Sequence, residues 1–332
     1  MPEGVHLHPL PGKFGLRWLM ALERGLASYS GKQTVLVQYV PHMYGWKAMN
    51  IAFCCWLACG RKSVWVMFHE VAYPFRQGQP LKHHFLAAVH RCMAWIVLRG
   101  ASRSYTSIEH YQQTLEKLAP KSEPKLLRIF SNVPFKRSHG VKSLRRRDAH
   151  FRVGAFSNFQ PEISRLLVDA FAALLENPAF EVRLIGPGEQ FLKAFVSRFP
   201  QFRDRISTTG HVNAPEIGPH LEACDALLQL YPDGACAARG TFIAALASGV
   251  PIVSNAGLLT ESIFARRGAV AFCADDPEAI RTTLERLQAD PDYARRISEA
   301  ARRLYTAEFD VEVTVARLCE AAGITEKIAV NQ

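Results

Sequence analysis

The chain has 332 residues, of which 48% are apolar and 21% are charged, and its formal net charge is +10. This length accommodates two ordinary domains, and the composition is that of a folded globular protein, which excludes a disordered chain. No apolar run reaches the ~20 residues that a transmembrane helix needs. Residues 1–12 also lack the charged start and apolar centre of a signal peptide. We therefore expect a cytoplasmic protein.

The charge is distributed unevenly between the two halves of the chain. Residues 1–150 carry 22 Lys and Arg against 7 Asp and Glu, whereas residues 151–332 carry 18 against 23. This split predicts two domains of opposite charge, the first of them suited to an anionic partner. Nucleic acid, an anionic membrane and an anionic substrate all fit that description. The chain has no zinc finger, RNP signature or basic heptad helix, which argues against nucleic acid.

Three of the eight cysteines lie in one apolar stretch, at Cys54, Cys55 and Cys59. A metal site would need Cys-x-x-Cys spacing and a second pair of ligands, and neither is present. We therefore predict that these cysteines are small buried apolar residues. Asp290 and Asp292 flank a proline, and Asp276 precedes another, so these carboxylates are interpreted as helix caps and not as metal ligands.

Short apolar runs alternate with amphipathic stretches along the chain. The predicted strands are Thr34–Val40, Ser63–Phe68, Ser102–Thr106, Leu126–Phe130, Phe151–Phe156, Val182–Ile185, Ala226–Leu230, Pro251–Ser254 and Ala269–Phe272. The predicted helices are Phe14–Leu26, Leu81–Leu98, Ser164–Leu175, Gln190–Phe199 and Pro277–Ala289. This alternation predicts an α/β protein with two Rossmann-like, doubly wound parallel sheets. Val35–Val37 and Val64–Phe68 are apolar at every position, as in strands buried on both faces.

The domain boundary is predicted in a polar, basic segment. The run Lys136–Arg147 has almost no apolar periodicity and is typical of an exposed linker. We therefore predict domains at residues 1–140 and 151–332, joined by a basic linker at 141–150. A solvated connection and a phosphate or membrane contact are both open interpretations of its basic cluster.

Polar and glycine-containing loops follow the predicted strands of the second domain. Ligands of open α/β sheets bind at the carboxyl ends of the strands, so these loops are candidate ligand contacts. The loop Asp233–Thr241 is the most informative, because it opens onto a helix rich in alanine and leucine. Free amides and the helix dipole form an anion site there. Gly240 leaves the approach open, and Arg239 is suited to bind phosphate with two hydrogen bonds. Thr241 is suited to cap the helix and also to donate to a phosphate oxygen.

Five segments of the second half carry a family resemblance. They are Gly-Pro-Gly-Glu, Gly-His-Val, Ala-Cys-Asp-Ala, Tyr-Pro-Asp-Gly and Ala-Leu-Ala-Ser-Gly-Val-Pro-Ile-Val. In this order they resemble the C-terminal domain of GT-B glycosyltransferases, most closely the retaining, nucleotide-sugar-dependent family 4, or group 1. In the first half, Gln38–Pro41, Met67–Glu70 and Phe130–Pro134 resemble strand ends of the same family. The resemblance runs from about Val35 to Phe309.

The resemblance implies that the second domain binds a nucleotide diphosphate sugar and that the first holds the acceptor across a cleft. His69 and Arg239 are the implied catalytic residues, through contacts with the donor sugar and with the diphosphate. The implied donor and nucleotide residues are Ser157, Asn158, Gly186, Gly188, Val212, Tyr231, Asp233, Gly234, Gly240 and Thr241. Tyr44, Asn50 and Glu70 are implied on the acceptor side. The nucleotide sugar is a co-substrate, and neither a cofactor nor a metal is expected.

The sequence departs from the family pattern in three places. Cys236 and Ala244 occupy the positions of two glutamates. Ala155 and Gln160 occupy the positions of an arginine and a lysine that would neutralise the leaving diphosphate. Arg239 or Arg165 would then supply that positive charge. The N-terminal domain is also expected to lack its first βα unit, since little precedes the first predicted helix.

The resemblance implies retaining transfer of a sugar to a hydroxyl of a glycan or a lipid-linked glycan, at the inner face of a membrane. Residues 82–98, with their cations and aromatic side chains, fit either a membrane-surface helix or a packed helix with one basic face. The alternative function is that of a catalytically inactive relative that binds nucleotide sugar or glycan, or serves as a partner subunit. An epimerase of the same fold would need acidic catalytic groups, and we cannot assign such groups in this sequence.

Overall fold

The computed structural model describes residues 5–10, 12, 14–31, 33–60, 63–135 and 150–324. The chain divides into two compact units, Met1–Leu127 and Arg128–Gln332. The first has a parallel sheet of four strands and the second a parallel sheet of six. The predicted α/β class with two parallel-sheet domains is therefore confirmed. The basic run Lys136–Arg147 lies outside the described residues, and the predicted domain boundaries stay predictions.

Helices and strands alternate through the first unit. Its elements are α1 (Leu16–Ala27), β1 (Thr34–Tyr39), α2 (Ile51–Cys59), β2 (Ser63–Phe68), α3 (Leu81–Gly100), β3 (Arg103–Thr106), α4 (Glu109–Leu118) and β4 (Lys125–Leu126). The sheet order is β1-β2-β3-β4. Residues 5–10 form no strand, and the expected absence of a first βα unit remains a prediction.

The two apolar strands of the first unit differ in burial. β2 is buried on both faces, with Val66 and Phe68 fully inaccessible, because it lies between two neighbours in the sheet. β1 alternates instead, and the Leu36 side chain is 46% exposed. The prediction that Val35–Val37 is buried on both faces is therefore wrong, since β1 is the edge strand of the described sheet.

The last predicted strand of the first half is also largely wrong. β4 contains only Lys125 and Leu126, whereas Leu126–Phe130 was expected. The chain leaves the sheet at this point, and the Arg128 side chain is buried against Glu261 in the second unit. The segment expected to be a strand thus contains a buried ion-paired arginine next to the buried Leu127.

α3 has 20 residues and packs one face on the core of the first unit. Its His90 is buried; the His90 Nδ1 accepts from the Tyr73 amide (3.2 Å), and Nε2 lies 2.9 Å from the Ala48 carbonyl. Burial lowers the pKa of this imidazole. The opposite face exposes the large apolar side chains Leu81, Phe85 and Trp95. Within the described ranges, no helix combines the length and apolarity needed to cross a membrane.

The cysteine prediction holds only in part. Cys54 is fully buried, with Phe53 and Leu57 on the packed side of α2. Cys55 and Cys59 are exposed, so for these two residues the prediction of burial is wrong. α2 is apolar around its whole circumference, but only one side of it meets the core, and composition alone did not reveal which residues face outward.

The second unit contains the larger sheet. Its elements are β5 (Phe151–Phe156), α5 (Pro161–Leu175), β6 (Phe180–Ile185), α6 (Glu189–Arg198), β7 (Ile206–Thr208), α7 (Ala214–Glu222), β8 (Ala226–Gln229), α8 (Gly240–Ser248), β9 (Ile252–Asn255), α9 (Ser262–Arg266), β10 (Ala271–Cys273), α10 (Pro277–Ala289), α11 (Pro291–Glu308) and α12 (Val311–Ala322). The sheet order is β10-β9-β8-β5-β6-β7. β7 was not among the predicted strands.

The strand order of the second sheet reverses beside β5. From β5 the chain proceeds to β6 and β7 on one side and then returns to β8 on the other. Such a topological switch point opens a crevice between the loops that follow the two central strands, and ligands bind there in open α/β sheets. The loops after β5 and β8 are therefore the candidate ligand-binding loops.

Candidate functional site

The loops at the switch point are joined by hydrogen bonds. The Ser157 amide donates to the Ile185 carbonyl (3.2 Å), which fixes the loop after β5 against the end of β6. The Asn255 side chain accepts from the Tyr231 amide (3.0 Å) and donates to the Tyr231 carbonyl (2.8 Å), which fixes the loop after β8 against the end of β9. These hydrogen bonds thus connect the loops at the carboxyl ends of four adjacent strands, β9, β8, β5 and β6.

Gly186 is required by a close approach between two of these loops. Its φ is +112°, and an added Cβ would lie 2.4 Å from the Ser157 carbonyl oxygen. Its amide donates to the Thr209 hydroxyl (3.0 Å), so the loop before α7 joins the same cluster. Gly188 is the N-cap of α6 and is crowded by Leu184. Both glycines shape the edge of the sheet.

Gly186→Ala is expected to destabilise the second unit by more than ~1 kcal/mol, because the side chain requires a strained φ and meets a backbone oxygen. Chemical denaturation followed by circular dichroism measures this loss. Gly268→Ala is the matched control, because Gly268 also has a positive φ (+62°) but has open space around an added Cβ. Equal losses in the two variants would show that the close approach to Ser157 does not matter.

The predicted anion site at the start of α8 is present as a helix N-terminus. Arg239 is the N-cap residue, in an extended conformation, and its side chain makes no capping hydrogen bond. Gly240 follows as the first helical residue, and an added Cβ there would have no atom within 4 Å. α8 has nine residues, and its first amides have no partner within the helix. A negatively charged group is favoured at this position.

Tyr231 and Thr241 form a buried hydrogen-bonded pair beneath this helix start. Their hydroxyl oxygens lie 2.8 Å apart. The Gln229 amide contacts the Tyr231 hydroxyl at 2.8 Å, and its favourable orientation pairs with the amide and carbonyl of Phe156 (2.9 and 3.2 Å). Burial raises the pKa of Tyr231, which keeps its phenol protonated. The expectation that Thr241 caps α8 is wrong, because Thr241 lies within the helix and its hydroxyl faces Tyr231.

Arg239 is only loosely held by its neighbours. One guanidinium nitrogen lies 3.9 Å from an Asp233 carboxylate oxygen, and both side chains are about one third exposed (35% and 38%). The guanidinium carbon lies 5.4 Å from the Tyr231 ring centroid. An ion pair this long and this exposed contributes little. The guanidinium therefore keeps hydrogen-bonding capacity for a ligand at the helix start.

Glu261 supports the loop before α8 from inside the unit. Its carboxylate accepts from the Ala237 amide (2.8 Å) and pairs with Arg128, and both charged side chains are almost fully buried. Gly234, with φ +81°, lies so close to Gly257 and Thr260 that no side chain fits. Sequence reasoning missed Glu261, because nothing in a linear pattern distinguishes a buried glutamate from an exposed one.

The residues that depart from the family pattern differ in burial. Cys236 and Ala244 are both fully buried, so no charged side chain occupies either position of the family glutamates. Asn158, Gln160 and Arg165 are exposed in the loop after β5 and the start of α5. Val212, beyond β7, is half-buried. The predicted donor residues of the second unit thus belong to neighbouring loops at one edge of its sheet.

The candidate residues of the first unit lie at the ends of β1 and β2. The His69 Nε2 lies 2.6 Å from the Gln38 side-chain oxygen, and burial lowers the pKa of the imidazole. At neutral pH, His69 is therefore uncharged. Glu70 pairs with His42 at 2.8 Å, with both side chains about half exposed. Gln38, which positions His69, was not among the predicted site residues, although it lies in a segment that carries the resemblance.

Tyr44 and Asn50 form hydrogen bonds within the first unit. The Tyr44 hydroxyl donates to the Gln38 carbonyl (2.6 Å). Asn50 is completely buried, caps α2 through the Phe53 amide, and donates to the carbonyls of Phe14 and Tyr44. Each side chain has its hydrogen bonds satisfied inside the unit, so a role of these two residues as acceptor contacts is not supported.

Of the carboxylates interpreted as caps, Asp290 and Asp276 have that role, whereas Asp292 lies within α11 and pairs with Arg295. The Asp290 carboxylate accepts from the Tyr293 amide (2.8 Å) at the start of α11, and Asp276 accepts from the Ala279 amide (2.9 Å) at the start of α10. Across the described ranges, no group of three or more His, Cys, Asp or Glu side chains is arranged to hold a metal ion. Metal independence of the reaction remains a prediction.

The comparisons with known proteins agree with this architecture. Residues 150–290 match the family model of the glycosyl transferases group 1. The match covers less than half of the chain and lies in the second unit, which is thus similar in sequence to the group 1 glycosyltransferases. No curated protein sequence matches the chain significantly.

Several solved structures share the fold. Sucrose-phosphate synthase from Thermosynechococcus elongatus is 15% identical, with a TM-score of 0.69 over 92% of this chain and 77% of that one. HepE from Anabaena in complex with UDP is 16% identical, with a TM-score of 0.67 over 92% and 82%. WaaG, a glycosyltransferase involved in lipopolysaccharide biosynthesis, is 14% identical, with a TM-score of 0.62 over 96% and 86%. At these identities the likeness establishes the GT-B-like fold alone.

Proposed function

We propose that the protein transfers a sugar from a nucleotide diphosphate sugar to a hydroxyl group, with retention at the anomeric carbon. The observation that carries this proposal is the start of α8 at the switch point of the second sheet. There, free amides, the open position at Gly240 and the loosely held Arg239 form an anion site. A diphosphate is the anionic part of such a donor, and its departure is the step that needs stabilisation.

The chemistry at this site is electrostatic. As the bond between the sugar and the diphosphate breaks, negative charge accumulates on the leaving phosphate oxygens. The α8 amides and the Arg239 guanidinium lie together at the start of the helix and would stabilise that charge by hydrogen bonds and electrostatic attraction. Binding in this position also orients the donor for attack by the acceptor hydroxyl. The mechanism uses no protein nucleophile, and Arg239 supplies the charge that the family lysine supplies elsewhere.

His69 is proposed to contact the donor sugar, and Glu70 to lie on the acceptor side; both assignments rest on the family resemblance. A neutral imidazole held by Gln38 offers a hydrogen bond to a sugar hydroxyl without adding charge. HepE has been crystallised with UDP and with UDP-glucose, so these compounds are the first to test. A thermal-shift screen of nucleotide sugars identifies the donor, and proton NMR of the product determines the anomeric configuration.

The proposed acceptor is a glycan or a lipid-linked glycan at an anionic membrane, and the support for this lies in the first unit. α3 exposes Leu81, Phe85 and Trp95 on its outward face, next to the cation Lys82. Apolar side chains flanked by cations suit the interface of an anionic bilayer.

Phe85→Glu is expected to reduce pelleting with phosphatidylglycerol vesicles at least about threefold, because it places a carboxylate on the apolar face. Val311→Glu is the control, since Val311 is an exposed apolar residue at the start of α12 in the second unit. Vesicles of phosphatidylcholine show whether lipid charge matters. Unchanged pelleting of Phe85→Glu contradicts the membrane assignment.

Gly240→Ala separates ligand binding from stability. The added Cβ has open space and Gly240 is a helical residue, so stability is expected to stay constant or rise by up to ~1 kcal/mol. The same methyl group occupies the approach to the α8 amides, so affinity for the nucleoside diphosphate is expected to fall about tenfold. Calorimetric titration measures the affinity. An unchanged affinity would place the diphosphate elsewhere.

A catalytically inactive relative is the second candidate function, and one observation favours it. Both positions of the family glutamates are buried and uncharged, at Cys236 and Ala244. Such a protein would bind the nucleotide sugar without turnover. Donor hydrolysis distinguishes the two functions: release of nucleoside diphosphate by the wild type above that of Arg239→Ala supports the enzyme, and tight binding without any release supports the inactive relative.

A further inference from the structure

A second charged groove lies in the first unit, at the amino ends of its last strands. Its volume is about 780 Å³, and it is bordered by the ends of α3 and α4 and the starts of β3 and β4. The proposed donor site uses the carboxyl ends of the strands of the other sheet. The groove is therefore separate from the proposed donor site, and it shares only the rim residue Trp95 with the proposed membrane face of α3.

The groove is strongly basic. Arg99, Arg103, Lys121 and Lys125 line it, against the single acid Glu123. All four cations are exposed, and none of them forms an ion pair with another described residue. The two guanidinium groups lie over indole rings, Arg99 over Trp95 at 5.1 Å and Arg103 over Trp65 at 5.2 Å. These contacts orient the arginines but leave their charge uncompensated.

Tyr105, which lines the groove, has a buried hydroxyl without a partner among the described residues. Tyr105 lines the groove and is only 4% exposed, and its hydroxyl makes no hydrogen bond to any described residue. Buried hydroxyl groups in native proteins are normally hydrogen-bonded, so an unpaired one needs an explanation. Burial raises the pKa of this phenol, so it stays protonated and available as a donor. A ligand oxygen would satisfy it.

We propose that this groove binds the phosphate or diphosphate group of an anionic ligand, with Arg103, Lys121, Lys125 and the Tyr105 hydroxyl as its contacts. The half-exposed Trp95 at the rim (41% exposed) offers an apolar face to the uncharged part of the ligand. A soluble phosphorylated compound and the headgroup of a phospholipid share this chemistry. The outward face of α3, which carries Trp95, adjoins the groove and makes both sources accessible.

The first test uses inorganic pyrophosphate as the probe. Binding is measured by calorimetry in the Arg239→Ala background, which weakens the proposed donor site, and is located by hydrogen exchange. We expect added protection at residues 101–105 and 118–125. We also expect the double variant Lys121→Glu/Lys125→Glu to lose affinity more than about tenfold. Lys117→Glu is the matched control, since Lys117 is exposed on α4 outside the groove. Equal affinities of the double variant and the control would overturn the proposal.

The second test removes only the hydroxyl. Tyr105→Phe is expected to bind pyrophosphate about three- to tenfold more weakly, because one hydrogen bond to the anion is lost. If Tyr105→Phe is more stable than the wild type and binds pyrophosphate equally well, the hydroxyl is only a buried unpaired group, and the proposal fails.

Vesicles of phosphatidylglycerol distinguish the two sources of the phosphate group, a soluble phosphorylated compound and a phospholipid headgroup. If Lys121→Glu/Lys125→Glu loses both pyrophosphate and vesicle binding, the ligand is a lipid headgroup. If it loses pyrophosphate binding alone, the ligand is a soluble phosphorylated compound. If it loses neither, the groove is not an anion site.

Discussion

Arg239→Ala is expected to weaken binding of the nucleoside diphosphate by about 10- to 150-fold, since a hydrogen bond to a charged group contributes roughly 1.5–3 kcal/mol. The guanidinium is the one cation that the sequence places at the start of α8, and its only ion-pair partner among the described residues is 3.9 Å away. Removing it leaves the helix amides as the remaining source of positive potential. Calorimetric titration with UDP and other nucleoside diphosphates measures the loss.

The affinities of three further variants are compared with that of Arg239→Ala. Arg165→Ala tests the other cation suggested by the sequence, and Arg203→Ala is a control at an exposed arginine before β7. Both are expected to bind within about twofold of the wild type, because surface charges away from the anion are screened. Asp233→Asn removes the carboxylate that competes for Arg239 and is expected to bind the diphosphate more tightly. Equal affinities of Arg239→Ala and the wild type would refute the phosphate assignment.

The elements of this fold that follow hydrophobic patterning were predictable from the sequence. β2 and β5 begin and end where their apolar runs do, and the start of α8 follows from a glycine before an alanine-rich stretch. The order of the strands, and with it the switch point beside β5, was implied only by the alternation of strands and helices. Periodicity encodes which residues are buried locally, and this is enough to place a helix N-terminus after a strand.

What could not be predicted depends on partners that are distant in the sequence. Asn50 looks like a polar residue before a helix, yet it is fully buried because three backbone groups satisfy it. Thr241 has the position of a cap but pairs with Tyr231 instead. Glu261 and Arg128 are separated by most of the second unit in the chain. In each case tertiary hydrogen bonds determine the environment of a polar side chain. These contacts cannot be predicted from the pattern of the linear sequence.

Glu261→Gln is expected to cost about 3–5 kcal/mol of the free energy of unfolding, because it removes the charge of the carboxylate that pairs with the buried Arg128 guanidinium. The substitution is nearly isosteric, and its amide oxygen can still accept from the Ala237 amide. The loss therefore reports the missing charge and not the missing loop contact. The Glu308 carboxylate also lies near Arg128, at 4.0 Å, a distance too long for a direct hydrogen bond. Urea unfolding followed by circular dichroism measures the change.

Glu299→Gln is the matched control for the loss of a charge. Glu299 pairs with Arg303 one helical turn away, and both side chains are mostly exposed (55% and 71%). Such a pair contributes ~0.2–1 kcal/mol at most, so the variant should unfold close to the wild type. The double variant Glu261→Leu/Arg128→Leu should be less destabilised than the sum of its single variants, since it removes the unpaired charge together with its partner. Similar midpoints for Glu261→Gln and Glu299→Gln would mean that solvent reaches Arg128, and that the loop before α8 does not depend on a buried ion pair.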